Sequence, residues 1–273
     1  MILKCPSCQQ ALIPTQNTYR CSNNHCFDIA KEGYTNLLLA QHKRSKNPGD
    51  DNTMMACRQA FLNQGYYQFL VDALVAILDN ANDQTLLDIG CGEGFYGHQI
   101  KQHYPRAQLA GIDIAKGGVR LAAKRKSNNA PAYTQLAVAS AYDLPFMTQN
   151  FDCAVSVFSP VDPPETARVL KPGGQLIIVG PAKNHLKGLA ESIYDEFKPH
   201  ANGFRTLEGH PSFERLGSTI IEQNATIEGA SIYQLLTMTP YFWSTSEEKQ
   251  AAIKKRATLS TPLAFEISRY KRL

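Results

Sequence analysis

Read for hydrophobic periodicity, the chain divides into two regimes. Through about residue 40, apolar positions are scattered among Cys, Asn and Gln with no sustained helical or alternating repeat. From Met55 onward, MACRQAFLNQGYYQFLVDALVAILDN repeats its apolar residues at helical spacing with a break around Gly65. That predicts two helices leading into TLLDIG, a short buried strand ending in a glycine turn. Beyond it the pattern alternates. HQIKQHYP and GGVRLAAKRKSNN read as helices, and PPETARVLKPGG as a helix stopped by glycine. QLAGIDI, AYTQLAVAS, FDCAVSVFS and QLIIVGP read as strands. Strand and helix in turn imply right-handed crossovers and a parallel, doubly wound α/β sheet. Continuous apolar runs such as CAVSVF fit strands covered on both faces. Residues 183–273 are less regular, with helices expected near 186–198, 231–237 and 246–257 and a late strand in LAFEISRYKRL. The polar stretch QHKRSKNPGDD reads as a linker. It divides a small module over residues 1–45, with its linker running to about 52, from an α/β domain over 53–273.

Composition narrows the class without naming a function. With 273 residues, 43% hydrophobic and 19% charged, the chain falls outside the collagenous, disordered and membrane classes. No uncharged apolar run approaches the roughly 18 residues of a spanning helix, and MILKCPSC shows no basic-then-apolar leader. A cytoplasmic location with no membrane partner is therefore expected. The net charge of +4 permits a nucleic-acid partner without requiring one. Its placement says more: residues 1–60 hold seven Lys/Arg against four Asp/Glu, and residues 249–273 hold seven against one. A further run, Lys116, Arg120, Lys124, Arg125 and Lys126, reads as a solvated helix face.

Four of seven cysteines crowd the first tenth of the chain, where a secreted disulfide scaffold is excluded by their odd number and the chain's length. Cys5-Pro-Ser-Cys8 is a C-x2-C knuckle, and Cys21 with His25 or Cys26 completes a second half. Tetrahedral Zn²⁺ takes four thiolate or imidazole ligands, and both spacings suit it. So short a segment with so few apolar residues needs a metal to fold.

The turn Asp88-Ile-Gly90-Cys-Gly92-Glu93-Gly94 lies where a strand gives way to a helix, the edge at which α/β sheets bind ligands. Two readings fit it. Gly92, Gly94 and Gly97 match a dinucleotide-binding G-x-G-x-x-G, with Asp113 at the ribose-binding distance. Alternatively, D-x-G-x-G-x-G carries S-adenosylmethionine, and Asp113 holds its ribose. The series LDIGCGEG, GIDI, ASAYDLPF, FDCAVSVFS and ARVLKPGG favours the second, because it resembles class I S-adenosylmethionine-dependent methyltransferases over most of residues 84–181. One departure is Ser140, where many relatives place an acidic residue, so adenine recognition is assigned to backbone groups and this hydroxyl. Asp162-Pro163-Pro164 is similar to the Asp-Pro-Pro-aromatic motif of amino-group methyltransferases, but Glu165 replaces the aromatic and the tripeptide reads as a helix start.

The stretch CSNNHCFDIAKEGYTNLLLAQHKRSKNPGDDNTMMACRQAFLNQGYYQFL, followed by GPAKNHLKGL and more weakly LLTMTPYFW, resembles the bacterial 23S rRNA guanine-N1-methyltransferases. The resemblance covers nearly the whole chain. It implies a Rossmann-like methyltransferase domain with an N-terminal zinc module and methylation of guanine N1 in a hairpin of 23S rRNA. Of two neighbouring target guanines, it favours that of the Gram-negative members over that of the macrolide-resistance members. It also implies Cys5, Cys8, Cys21 and His25 as zinc ligands, Tyr67, Gly92, Glu93 and His185 as cofactor contacts, and a homodimer. His185 and Asp162 are, by location, candidates to accept the N1 proton. Tyr67, Phe95 and Tyr96 offer aromatic faces to a sulfonium. The competing readings are a small-molecule methyltransferase with a docking module, and a zinc-containing RNA-binding protein whose cofactor fold is vestigial.

Overall fold

Hydrogen bonding of the N-terminal segment precedes any large core. In the computed structural model, which describes residues 1–42, 49–127, 129–200 and 207–273, β1 (Leu3–Lys4), β2 (Ala11–Pro14), β3 (Thr18–Arg20) and β4 (Cys26–Asp28) form an antiparallel meander. Its buried apolar side chains are few, Leu3 and Leu12 beside Cys5 and Cys21. The following strand, β5 (Tyr34–Asn36), leaves that meander for the edge of a second, eight-stranded sheet.

The second sheet follows the alternation of the sequence. α1 (Asn52–Leu62) starts at Asp51, whose carboxylate accepts the Met54 N–H at 2.8 Å, and stops before Gly65, where φ is +83°. Then come α2 (Gln68–Ile77), β6 (Thr85–Ile89), α3 (Phe95–His103), β7 (Gln108–Asp113) and α4 (Lys116–Lys124). A small hairpin of β8 (Lys126–Ser127) and β9 (Ala130–Pro131) precedes β10 (Gln135–Val138), β11 (Phe151–Val157) and α5 (Pro163–Val169). The chain ends with β12 (Leu170–Pro181), α6 (Lys187–Glu191), β13 (Phe213–Glu228), α7 (Ala230–Thr237), α8 (Tyr241–Ser244), α9 (Glu247–Lys254) and β14 (Thr258–Arg272).

Strand order is β13-β14-β12-β11-β6-β7-β10-β5. From β12 to β5 every pairing is parallel, and central residues such as Leu86, Leu87, Ile89, Ala154, Ile177 and Ile178 are buried by helices on both faces. The expectation of an all-parallel sheet needs correction at one end. β14 runs antiparallel to β12, and β13 antiparallel to β14, so the sheet is mixed. Two further differences have local causes. α5 stops at Val169 rather than at the glycines, because Leu170 is fully buried and already pairs with Phe151. The helix expected over 186–198 spans only Lys187–Glu191.

Chain order reverses beside β6, with β7 and β10 on one side and β11 and β12 on the other. This is the switch point at which open α/β sheets bind ligands at the carboxyl ends of their strands. The N-terminal meander is fastened close by. Lys4 N donates to Pro145 O at 2.9 Å, Met147 N donates to Ile2 O at 3.0 Å, and Lys4 Nζ reaches Asp143 at 2.9 Å. Among the described residues no helix is long and apolar enough to cross a membrane.

Candidate functional site: a zinc knuckle and a cofactor turn

The meander brings four ligand atoms together. The Sγ atoms of Cys5, Cys8 and Cys21 and a ring nitrogen of His25 all lie within 4.8 Å of one another. Individual separations are 3.6 Å from Cys8 Sγ to Cys21 Sγ, and 3.4 and 3.6 Å from His25 Nδ1 to Cys21 and Cys5. A tetrahedral zinc with bonds of about 2.3 Å to sulfur and 2.0–2.1 Å to nitrogen has edges of roughly 3.5–3.8 Å, so the donors are spaced for that ion. Geometry decides between the two spacings left open by the sequence: Cys26 opens β4 with an exposed side chain and stays outside the cluster.

The second site grows from the turn after β6. Asp88, at the end of that strand, is buried and accepts the Tyr133 hydroxyl at 2.7 Å on Oδ2. Burial, with Asp113 and Glu93 nearby, pushes its carboxyl up to about 7 despite that hydrogen bond. Gly90 has φ +73°, and a Cβ there would sit 1.9 Å from Ser159 Oγ, so only glycine lets the loop after β11 close on the turn. Gly92 has φ +54° and donates its N–H to Asp113 Oδ2 at 2.8 Å. A Cβ on Gly92 would meet only the end of the Arg58 side chain, at 3.8 Å, so the backbone is open to a ligand. Asp113 Oδ1 accepts the Ala115 N–H at 2.7 Å, which orients the carboxylate at the end of β7.

Other candidates occupy definite places. The Glu93 carboxylate is buried and taken by Arg125, whose Nε also donates to Glu93 O at 2.9 Å, so Glu93 offers a ligand its backbone. Tyr67 is 2% exposed and packs edge-on against Phe61, Phe265 and His185. Its hydroxyl makes no hydrogen bond among the described residues, and burial holds it protonated. Phe95 already lies under the Arg125 guanidinium, 5.8 Å away, and edge-on to Tyr96. The Ser140 hydroxyl accepts the Tyr142 N–H at 3.1 Å.

His185 is 5% exposed, and Nδ1 accepts the Ala264 N–H at 3.2 Å. Burial, with His200 beside it, pulls its pKa down to about 3, so the ring is neutral and Nε2 carries the proton. It offers a donor, not a base. Asp162 caps α5 by accepting the Glu165 N–H at 3.0 Å, with prolines in the first turn. That bond commits Asp162 Oδ2 to the helix start. Arg125, read from the sequence as part of a solvated helix face, is instead largely buried against Glu93, while Tyr133 and Phe158 went unnoticed; their partners are 32, 45 and 27 or more positions away, beyond any local pattern.

The site fits S-adenosylmethionine: an open glycine backbone beside an oriented carboxylate at the end of β7, as a cation bearing a ribose requires. Comparison with known proteins agrees. A family model described as "RlmA, N-terminal" matches residues 3–46, and one described as "Methyltransferase domain" matches residues 86–174. A 23S rRNA (guanine(748)-N(1))-methyltransferase of Streptomyces fradiae is 30% identical over 91% of this chain and 88% of its own. A Bacillus subtilis protein, provisionally named a 23S rRNA (guanine-N(1)-)-methyltransferase, is 27% identical over 97% and 95%. A Bacillus halodurans structure solved as a candidate methyltransferase aligns with a TM-score of 0.51 and 15% identity, over 74% of this chain and 97% of that one, which shows the fold.

Proposed function

This chain belongs to the 23S rRNA guanine-N1-methyltransferases, and from that premise we propose that it methylates N1 of a guanine in a 23S rRNA hairpin, the one targeted by Gram-negative members. The observation that carries the reading is the open turn at Gly92 between Asp88 and Asp113, with a zinc module fastened beside it. Tyr67, Asp88, Gly90, Gly92, Asp113, His185 and the Glu93 backbone form the cofactor site. Residues 1–45 serve as the RNA-recognition module.

Bound S-adenosylmethionine supplies an electrophilic methyl group on a sulfonium. The protein's part is to hold acceptor and donor in line and to exclude water. Asp113 positions the ribose, and Asp88, through Tyr133, and the Glu93–Arg125 pair keep the turn rigid. Guanine N1 lies on the Watson–Crick edge, so the base must be unpaired or flipped to enter. With Nε2–H free to donate, His185 is suited to stabilise negative charge on the base carbonyl as the N1 proton leaves to solvent.

The test is incubation of purified protein with labelled S-adenosylmethionine and 23S rRNA lacking the modification, followed by mapping a reverse-transcription stop. A single stop at the Gram-negative target is the expected result. A stop at position 748, the target named for the Streptomyces fradiae relative, would reassign the guanine, and no label in RNA would overturn the reading. Light scattering of the same preparation tests the homodimer that the resemblance implies.

A further inference from the structure

The loop after β11 holds a residue that nothing in the cofactor site requires. Phe158 has φ +55°, a left-handed conformation that a side chain with a Cβ disfavours. It is held there from three sides. Its N–H donates to Val179 O at 2.9 Å, Ser156 Oγ donates to Ser159 O at 2.9 Å, and Ser159 presses on Gly90. Such strain persists only where the surroundings over-determine it, and it concentrates at functional sites.

What the strain achieves is the placement of a ring. Phe158 packs against His185, with centroids 5.8 Å apart and planes inclined by 30°, and against Phe265 at 5.7 Å. Those neighbours are buried, yet Phe158 remains 45% exposed, so part of its ring faces solvent. It stands at the carboxyl end of a strand beside the switch point, one residue from the side chain that touches the cofactor turn. A buried core aromatic would need no strain, and a surface aromatic would gain nothing from it.

We propose that the exposed face of Phe158 is the stacking platform for the acceptor base, holding the unpaired guanine over His185 with N1 toward the cofactor turn. The assignment rests on the guanine reading above. Its chemistry is that of a planar, uncharged purine lying on an aromatic ring, an interaction whose loss on truncation costs roughly 10- to 100-fold in binding.

The experiment compares wild type with Phe158→Leu, Phe158→Tyr and Phe158→Gly on the target hairpin. Leu keeps the backbone strain and an apolar side chain but has no π face, whereas Gly relieves the strain. Both are expected to lower kcat/KM for the RNA by roughly 10- to 100-fold, with S-adenosylmethionine affinity within about twofold of wild type. Phe158→Tyr should retain activity within about threefold. A hairpin carrying 2-aminopurine at the target should fluoresce more brightly in complex with Phe158→Leu than with wild type, because stacking quenches the base. Leu and Gly variants with wild-type kcat/KM and unchanged 2-aminopurine signal would overturn the proposal. If wild type itself leaves the hairpin unmethylated, the guanine reading fails and the stacking assignment falls with it.

Discussion

Asp88 carries a charge that its surroundings disfavour, and the sign of its effect on stability follows. Its folded pKa of about 7 lies above the ordinary aspartate value of 3.8. The fold therefore favours the protonated acid, and stability is lost as pH rises from about 4 to about 7. Asp88→Asn removes that penalty. It is expected to raise Tm at pH 8 by an amount worth a few kcal/mol, to change it little at pH 4, and to weaken cofactor binding. Calorimetry at the two pH values checks this, and an equal drop at both would show that the carboxylate is needed for structure in either form. The residue scale also shows why roles could not all be assigned from motifs. Glu93 lies inside the cofactor turn, but its side chain belongs to Arg125. His185 lies just past β12, but the Ala264 N–H has fixed which nitrogen holds the proton.

At the scale of elements, the two-residue strand β1 joins two sites that the sequence presents as separate modules. Leu3 bridges Phe146, the backbones of Ile2 and Lys4 bond Met147 and Pro145, and Lys4 reaches Asp143. The next residue is the zinc ligand Cys5, while the clasped loop follows directly on Ser140 at the cofactor edge. Zinc should therefore order that edge as well as the meander, since binding free energy at a structural zinc site is folding free energy. Cys8→Ser is expected to lose stoichiometric zinc and to weaken S-adenosylmethionine binding at least severalfold, whereas Cys26→Ser keeps both. Metal analysis alongside calorimetric titration reads the two effects. Cofactor affinity unchanged in zinc-free protein would show that the loop after Ser140 holds itself. A second element escaped the pattern altogether. β13 is exposed along most of its sixteen residues and shows no alternation. It exists because β14 supplies an antiparallel ladder from Phe213 to Glu228, broken only by a bulge at Leu216.

For the whole molecule, charge placement bears on the proposed capture of RNA. Of the basic run in α4 and just beyond it, Arg120 pairs with Glu32 and Arg125 with Glu93, which leaves less of that face for phosphate. The linker cations Lys43, Arg44 and Lys46 lie outside the described residues, and their role is argued from sequence alone. Replacing all three with Ala should weaken hairpin binding at low salt and reduce the slope of log affinity against log salt by about 2. Cofactor affinity should not move. Filter binding over a salt series with a parallel cofactor titration checks it, and equal loss of both would refute a phosphate-gripping role.

Local pattern and motif spacing by themselves determined the alternating strands and helices from β6 to β12, except the β8–β9 hairpin where a longer α4 was expected, together with the metal knuckle, the glycine turn and its acidic neighbours, because each is set by residues within one element or one turn. Periodicity reports which face is buried, and a short motif reports which backbone a ligand can approach. The spacing left His25 and Cys26 open, the resemblance implied His25, and the structure brings His25 to the knuckle; only the tertiary structure decided the antiparallel end of the sheet, the capture of Glu93 by Arg125, the tautomer of His185 and the strained ring of Phe158. Each of these depends on which distant backbone or side chain arrives beside the residue, and that partner leaves no periodic trace in the sequence.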